Sequence, residues 1–180
     1  LTGNLPENAS ECGIANLSIG QGNLLVTPLQ VTAMMRTVAD GGVYSPLEIL
    51  TEQTREDLVT YGLSAAADSD GESSGRMRVM SKSTAASLLS MLCGTADFGT
   101  AKSLSDYTEA SAGGKTGSAQ STMSGRDVVH GWFSGFYPQE DPEYVITVFM
   151  EDGGGGGSCV PAAGTLIDYL SRNDILAGEN

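Results

Sequence analysis

The chain has 180 residues, enough for one hydrophobic core or for part of a larger domain. A hydrophobic fraction of 40% with 24 glycines is globular composition with generous loops, and it excludes a disordered chain. The formal net charge of -13 excludes bulk electrostatic attraction to nucleic acid or anionic lipid, and no apolar run is long enough to span a bilayer. The acids gather at Glu48 to Asp57 and at Asp68 to Glu72, which reads as a solvated face. Three cysteines, Cys12, Cys93 and Cys159, are widely separated and form no Cys-x-x-Cys pair. That spacing speaks against zinc, permits at most one internal disulfide, and reads most simply as buried free thiols.

Residues 1 to 23 are polar and glycine-rich, with little periodicity. Thr27-Pro28 predicts a helix start, an N-cap residue followed by proline at the first helical position. Val31, Met34, Met35 and Val38 supply its apolar face, the methionines as core filling, and Gly41-Gly42 stops it. Residues 43 to 50 read as extended, and 62 to 75 as a mobile surface loop. Ser83 is placed to cap a second helix with the stripe Ala85, Leu88, Leu89 and Leu92, ended by Gly94.

The last third changes period. Trp132 to Tyr137 predicts a strand ended by Pro138, and Tyr144 to Met150 predicts another, apolar on both faces except at Thr147. Five glycines, 153 to 157, lead to a final helix with Ala163, Leu166, Ile167 and Leu170 inside. Together with the segment from Gly113 to Gln120 this predicts an α+β fold. Helices pack on a small antiparallel sheet of about three strands, and at least one sheet edge is exposed or paired with another chain.

Gly113-Gly114-Lys115-Thr116-Gly117-Ser118-Ala119-Gln120 carries the chemistry. Lys115 brings a compact positive charge, Thr116 a directed hydroxyl, and the flanking glycines let a ligand carboxylate lie against the backbone. A phosphate loop is excluded, because Glu109 stands where that motif needs glycine and no apolar strand precedes it. The five-glycine run lies too near the C-terminus for a dinucleotide fold, and reads as a flexible strand-to-helix connection. His130, the only histidine, reads as structural at the start of a strand, since nothing places Ser134 or Asp127 beside it as nucleophile or orienting group. Trp132, Phe133, Phe136 and Tyr137 read as strand-face packing.

The order of blocks resembles the C-terminal part of the transpeptidase domain of a class B penicillin-binding protein, in the penicilloyl-serine transferase and serine β-lactamase superfamily. The resemblance runs from about Ser18 to Leu170. Ser18-Ile19-Gly20-Gln21-Gly22 with Thr27-Pro28-Leu29-Gln30 is similar to the family's glycine loop and helix entry. Lys115-Thr116-Gly117-Ser118-Ala119-Gln120 is similar to its third motif, and Trp132 to Pro138 to the strand beside it.

The resemblance implies a D,D-transpeptidase that cross-links peptidoglycan stem peptides and is acylated by β-lactams. No cofactor, no metal and no nucleic-acid partner is expected. Lys115 would supply positive charge at the acylation centre, and Thr116 would hydrogen-bond the terminal carboxylate of the ligand. Gly117 would allow close approach, and the Ser118 N–H would be one of two oxyanion-hole donors, a contribution of about 3 kcal/mol per donor in other enzymes.

The family's nucleophile motif, Ser-x-x-Lys, does not occur, because Val79, Gly99 and Ala112 stand three residues before Lys82, Lys102 and Lys115. Ser-x-Asn occurs only at Ser171-Arg172-Asn173, downstream of the third motif instead of upstream. With no starting methionine, residues 1 to 180 are expected to be a single fragment, cut from a parent anchored outside the bacterial cytoplasmic membrane and inactive alone. The alternative is a non-enzymatic cell-wall peptide or protein-interaction module reusing the half-fold. Two sheet strands that the family takes from the domain's start are missing, so self-association through an exposed strand edge is also expected.

Overall fold

A computed structural model describes residues 3–4, 10–47 and 75–173. The two acidic clusters, the extended run beyond residue 47 and the loop of 62 to 74 lie outside the described residues. Helix α1 (Glu11–Ser18) comes first, then α2 (Pro28–Ala39). Strands β1 (Val43–Tyr44) and β2 (Met77–Arg78) make a short antiparallel ribbon, and α3 (Lys82–Asp97) follows. A 3-10 turn at Lys102–Asp106 leads into β3 (Gly113–Met123), β4 (Arg126–Tyr137) and β5 (Tyr144–Met150). A second 3-10 turn, Gly156–Cys159, runs into α4 (Val160–Asn173).

Helix α2 begins where its side chains satisfy its free amides. The Thr27 hydroxyl accepts from the Gln30 N–H at 3.2 Å, and Gln30 Oε1 accepts from the Thr27 N–H at 2.9 Å. This reciprocal pair, with Pro28 at the first position, fixes the start. The apolar face differs from the periodic expectation at one residue. Met35 and Val38 are buried, but Met34 is 58% exposed, while Thr37, one turn further on the same flank, is buried. The described elements thus cover that flank only along its C-terminal half.

Helix α3 departs from expectation at both ends. Ser81, not Ser83, is the N-cap, its hydroxyl accepting from the Thr84 N–H at 3.0 Å. Ser83 turns its hydroxyl back on Ser81 at 2.9 Å instead. The helix runs through Gly94 to Asp97, because the Gly94 carbonyl still takes the Phe98 N–H at 3.1 Å. The stripe is shallower than expected: Ala85 is buried, whereas Leu88, Leu89 and Leu92 are half-buried.

The main sheet has the order β3-β4-β5, antiparallel throughout. Ser124 and Gly125, both with positive φ, join β3 to β4 in a two-residue turn, and Met123 faces Arg126. Positive φ at both central positions matches the twist of a hairpin. Strand β4 begins at Arg126, six residues before the predicted start, so His130 lies inside the strand. The added stretch is paired but mostly polar on its outer face, so its composition does not announce a strand.

Strand β4 is central, and Phe133, Ser134, Gly135 and Phe136 are all buried. Burial of consecutive residues means that both faces are covered. One face carries Phe133 and Ile146 against Ala101, Leu104, Val160, Ala163 and Ile167. On that side α4 keeps three of its predicted inner residues, Ala163 and Ile167 buried and Leu170 packed against them, while Leu166 is 44% exposed. The other face meets α2 and α3. There Ser134 and Thr147 hydroxyls lie 3.0 Å apart, and the Thr32 hydroxyl of α2 donates to Thr147 at 2.9 Å.

Candidate active site

Among the described residues, strand β3 has β4 on one side and no strand on the other, so half its backbone groups face outward. Antiparallel pairing sends the N–H and C=O of one residue to the same edge. The Ser118 carbonyl and the Gln120 N–H both bond outward, to the Gln21 side chain. The Ser118 N–H therefore points to the same open edge. This is the position that an oxyanion donor requires, away from the β4 ladder and toward an incoming ligand.

Close packing behind the edge depends on glycine. A Cβ at Gly114 would stand 2.7 Å from the Phe133 ring and 2.8 Å from the Gly135 backbone. Phe133 can reach across from β4 to seal the core only because that Cβ is missing. From the far end of the sheet, the loop after β5 returns to β3. The buried Gly156 donates its N–H to the Ser118 hydroxyl at 3.0 Å. A Cβ on Gly156 would lie 2.7 Å from the backbone N and O of Gly117, so only glycine brings this loop so close.

The side chains form a polar rim. The exposed Lys115 ammonium curls around the edge and donates to the Thr116 carbonyl at 2.7 Å. It also reaches the Thr100 hydroxyl at 3.3 Å and the Thr116 hydroxyl at 3.4 Å. The Thr116 hydroxyl in turn donates to Thr100 at 2.8 Å. Among the described residues, the ion pairs are Arg36–Asp40, Arg126–Asp152 and Arg172–Asp168, and Lys115 enters none of them. A cation whose partners among the described residues are all neutral oxygens is suited to an anionic ligand. One strand over, His130 is used structurally. Its Nδ1 accepts the Asp152 N–H at 3.1 Å, and its ring packs on Phe149.

The structure thus brings Lys115, Thr116, Gly117 and Ser118 to one open edge. It adds three residues that the sequence did not single out for the site. Thr100 comes from the turn after α3, Gln21 from the turn before α2, and Thr95 from α3, its hydroxyl against the Gly114 carbonyl. A polar cleft of about 540 Å³ opens along the edge between Asn16, Ile19, Gln21, Ser118, Gln120 and Val129. Among the described residues, no group of three or more His, Cys, Asp or Glu could hold a metal ion.

With this geometry in place, comparison with known proteins is specific. Residues 2–167 match the penicillin binding protein transpeptidase domain. The chain belongs to that family. It is 31% identical over 181 residues to penicillin-binding protein PbpB of Mycolicibacterium smegmatis, covering 89% of this chain and 26% of that protein. It is 28% identical over 165 residues to peptidoglycan D,D-transpeptidase PbpA of the same organism, covering 89% of this chain and 30% of that one. The chain therefore spans between a quarter and a third of the length of these relatives.

Solved structures share the fold. The apo transpeptidase domain of Burkholderia pseudomallei penicillin-binding protein 3 superposes with a TM-score of 0.73 at 22% identity, over 96% of this chain and 50% of that one. The penicillin-binding protein PBP2 and MreC complex of Helicobacter pylori gives 0.73 at 19% identity, over 96% and 32%.

Proposed function

We propose that residues 1 to 180 form the C-terminal portion of a D,D-transpeptidase domain and supply the Lys-Thr-Gly wall of its active site. The reaction is the cross-linking of peptidoglycan stem peptides, with β-lactams as acylating mimics of the peptide. The observation that carries this reading is the convergence, on one open strand edge, of Lys115, which enters no ion pair among the described residues, the Thr116 hydroxyl and the outward Ser118 N–H.

In this reading Thr116 and Lys115 receive the ligand carboxylate, and Gly117 leaves room for the ligand beside the backbone. Ser118 N–H stabilises the charge that develops on the attacked carbonyl. The attacking serine belongs to residues outside these 180, since no Ser-x-x-Lys occurs among them. Known relatives support the assignment, PbpA by its activity and a penicillin G acyl-enzyme of Mycobacterium tuberculosis penicillin-binding protein A by its fold. Such chemistry places the parent at the outer face of the bacterial cytoplasmic membrane. Among the described residues, no helix is long and apolar enough to cross it. The outer edge of β5 is proposed to pair with a strand from outside the described residues or, lacking one, with a second copy of the chain.

Fluorescent penicillin provides the test. The 180-residue chain is expected to show no covalent label. A longer parent carrying an upstream Ser-x-x-Lys is expected to be labelled, and to lose most of that labelling on Lys115→Ala. Covalent labelling of the 180-residue chain refutes the assignment of the nucleophile. Labelling of the parent that ignores Lys115→Ala refutes the assignment of the rim.

A further inference from the structure

Gln21 stands at the tip of the turn between α1 and α2, between Gly20 and Gly22, whose φ angles are +74° and +82°. Two adjacent residues free of Cβ strain let the turn present a single side chain and let it move. The Gln21 N–H is bound to the Asn16 carbonyl at 2.9 Å, which anchors the backbone while the side chain reaches β3. There the carboxamide does what the backbone of a neighbouring strand would do. Nε2 donates to the Ser118 carbonyl at 2.9 Å, and Oε1 accepts from the Gln120 N–H at 3.4 Å.

An outward carbonyl followed two residues later by an outward N–H is the unit that an extended peptide pairs with on a sheet edge. The next outward carbonyl, that of Thr116, is held by the Lys115 ammonium. The chain's own side chains thus fill the edge where a peptide has to lie. The polar cleft of about 540 Å³ along this edge is lined by Gln21, Ser118 and Gln120 together, so the carboxamide occupies part of the wall that a peptide would meet.

We propose that Gln21 is a built-in competitor for the β3 edge. An extended donor peptide pairs with Ser118 and Gln120 only after the Gln21 carboxamide swings off the edge. The residue thereby sets both the apparent affinity and the register of the bound peptide. This rests on the reading of Lys115 to Ser118 as the substrate rim. The two hydrogen bonds are neutral and exposed, so the latch opens at modest cost. Apparent affinity falls by the fraction of chains that are open, so a latch shut about nine-tenths of the time weakens binding about tenfold.

The test is an NMR titration of the isotope-labelled 180-residue chain with a peptide ending in D-Ala-D-Ala. Wild type is compared with Gln21→Ala, Gln21→Glu and Thr116→Val. In the free chain, the Gln120 amide is expected to exchange with solvent at least severalfold faster in Gln21→Ala than in wild type. Gln21→Ala is expected to bind the peptide roughly tenfold more tightly, with the largest shifts at Ser118 and Gln120. Gln21→Glu keeps the size of the side chain but loses the donor to the Ser118 carbonyl, and is expected to behave as Gln21→Ala does. Equal or weaker binding by both Gln21 variants, or binding by none of the four proteins, overturns the latch. Binding tightened by Gln21→Ala yet indifferent to Thr116→Val leaves the latch standing and removes the carboxylate rim.

Discussion

The sheet has two borders, and they are built differently. Along β3 one outward backbone group of each of Gly114, Thr116, Ser118 and Gln120 meets a polar side chain of the same chain, from Thr95, Lys115 or Gln21. Along β5 the sequence is Tyr-Val-Ile-Thr-Val-Phe-Met, and among the described residues no strand lies on its outer side, away from β4. Side chains can let go of a backbone and return to it, so the β3 edge suits a ligand that comes and goes. An apolar strand has no such temporary partner and suits permanent pairing with another strand. One sheet thus separates an exchangeable border from a structural one, with β4 carrying both.

The largest expected effect comes from breaking what the two borders share. Phe133 is fully buried in β4, and its ring fills the space left by Gly114 on β3 while packing in the α4-side core. Phe133→Ala is expected to cost about 3–5 kcal/mol, measured by urea unfolding, because a large cavity opens where neighbours cannot fully close in. Phe149→Ala, at a residue 39% exposed on β5, is expected to cost far less. Equal losses would mean that β5 is as deeply held as β4 and that the two borders are not distinct.

How much of this could be read from the sequence depended on range. Local signals were legible: Thr27-Pro28 placed the start of α2, Gly41 its end, and an apolar run broken only at Thr147 gave both ends of β5. Helix α1 was missed because none of its residues is fully buried, so it carries no apolar stripe to find. Cys12 on that helix is exposed, against the expectation of buried thiols. The rim at Lys115 and Thr116 was legible as a motif. Its partners were not, because Gln21 lies 97 residues from Ser118 and nothing local marks Thr100. A hydrogen bond between distant side chains leaves no periodicity behind it.

The β5 border makes the next prediction. If that edge seeks a strand, the 180-residue chain should self-associate, its apparent mass in light scattering rising with concentration. Phe149 sits on this strand beside Trp132, with ring centroids 4.5 Å apart. Phe149→Lys puts a charge on the edge, a standard obstacle to strand pairing, and is expected to shift the population toward monomer. A wild-type chain that stays monomeric at high concentration would show that β5 needs no partner, and the contrast between the borders would reduce to composition.

The smallest expected effect concerns the thiols behind the β3 border. Burial raises the pKa of Cys159, next to the glycine loop, above its ordinary 9.0, with hydrogen bonds from Ser158 and Met150 opposing. Burial also raises that of Cys93 on α3, partly offset by a hydrogen bond with Gln139 and reinforced by the Asp97 charge. A thiol whose proton is held more tightly in the folded state adds stability that is complete below the unfolded pKa and is lost as pH climbs through the folded one. The urea midpoint is therefore expected to stay level from neutral pH to about 8 and to fall above about 9, less steeply in Cys159→Ala. At neutral pH a neutral alkylating reagent is expected to modify exposed Cys12 quickly, and Cys93 and Cys159 slowly. Rapid modification of Cys159 in the folded chain would mean that the glycine loop lifts away from β3. The N–H that Gly156 gives to Ser118 would then be as transient as the clasp of Gln21, and the whole β3 border would be mobile.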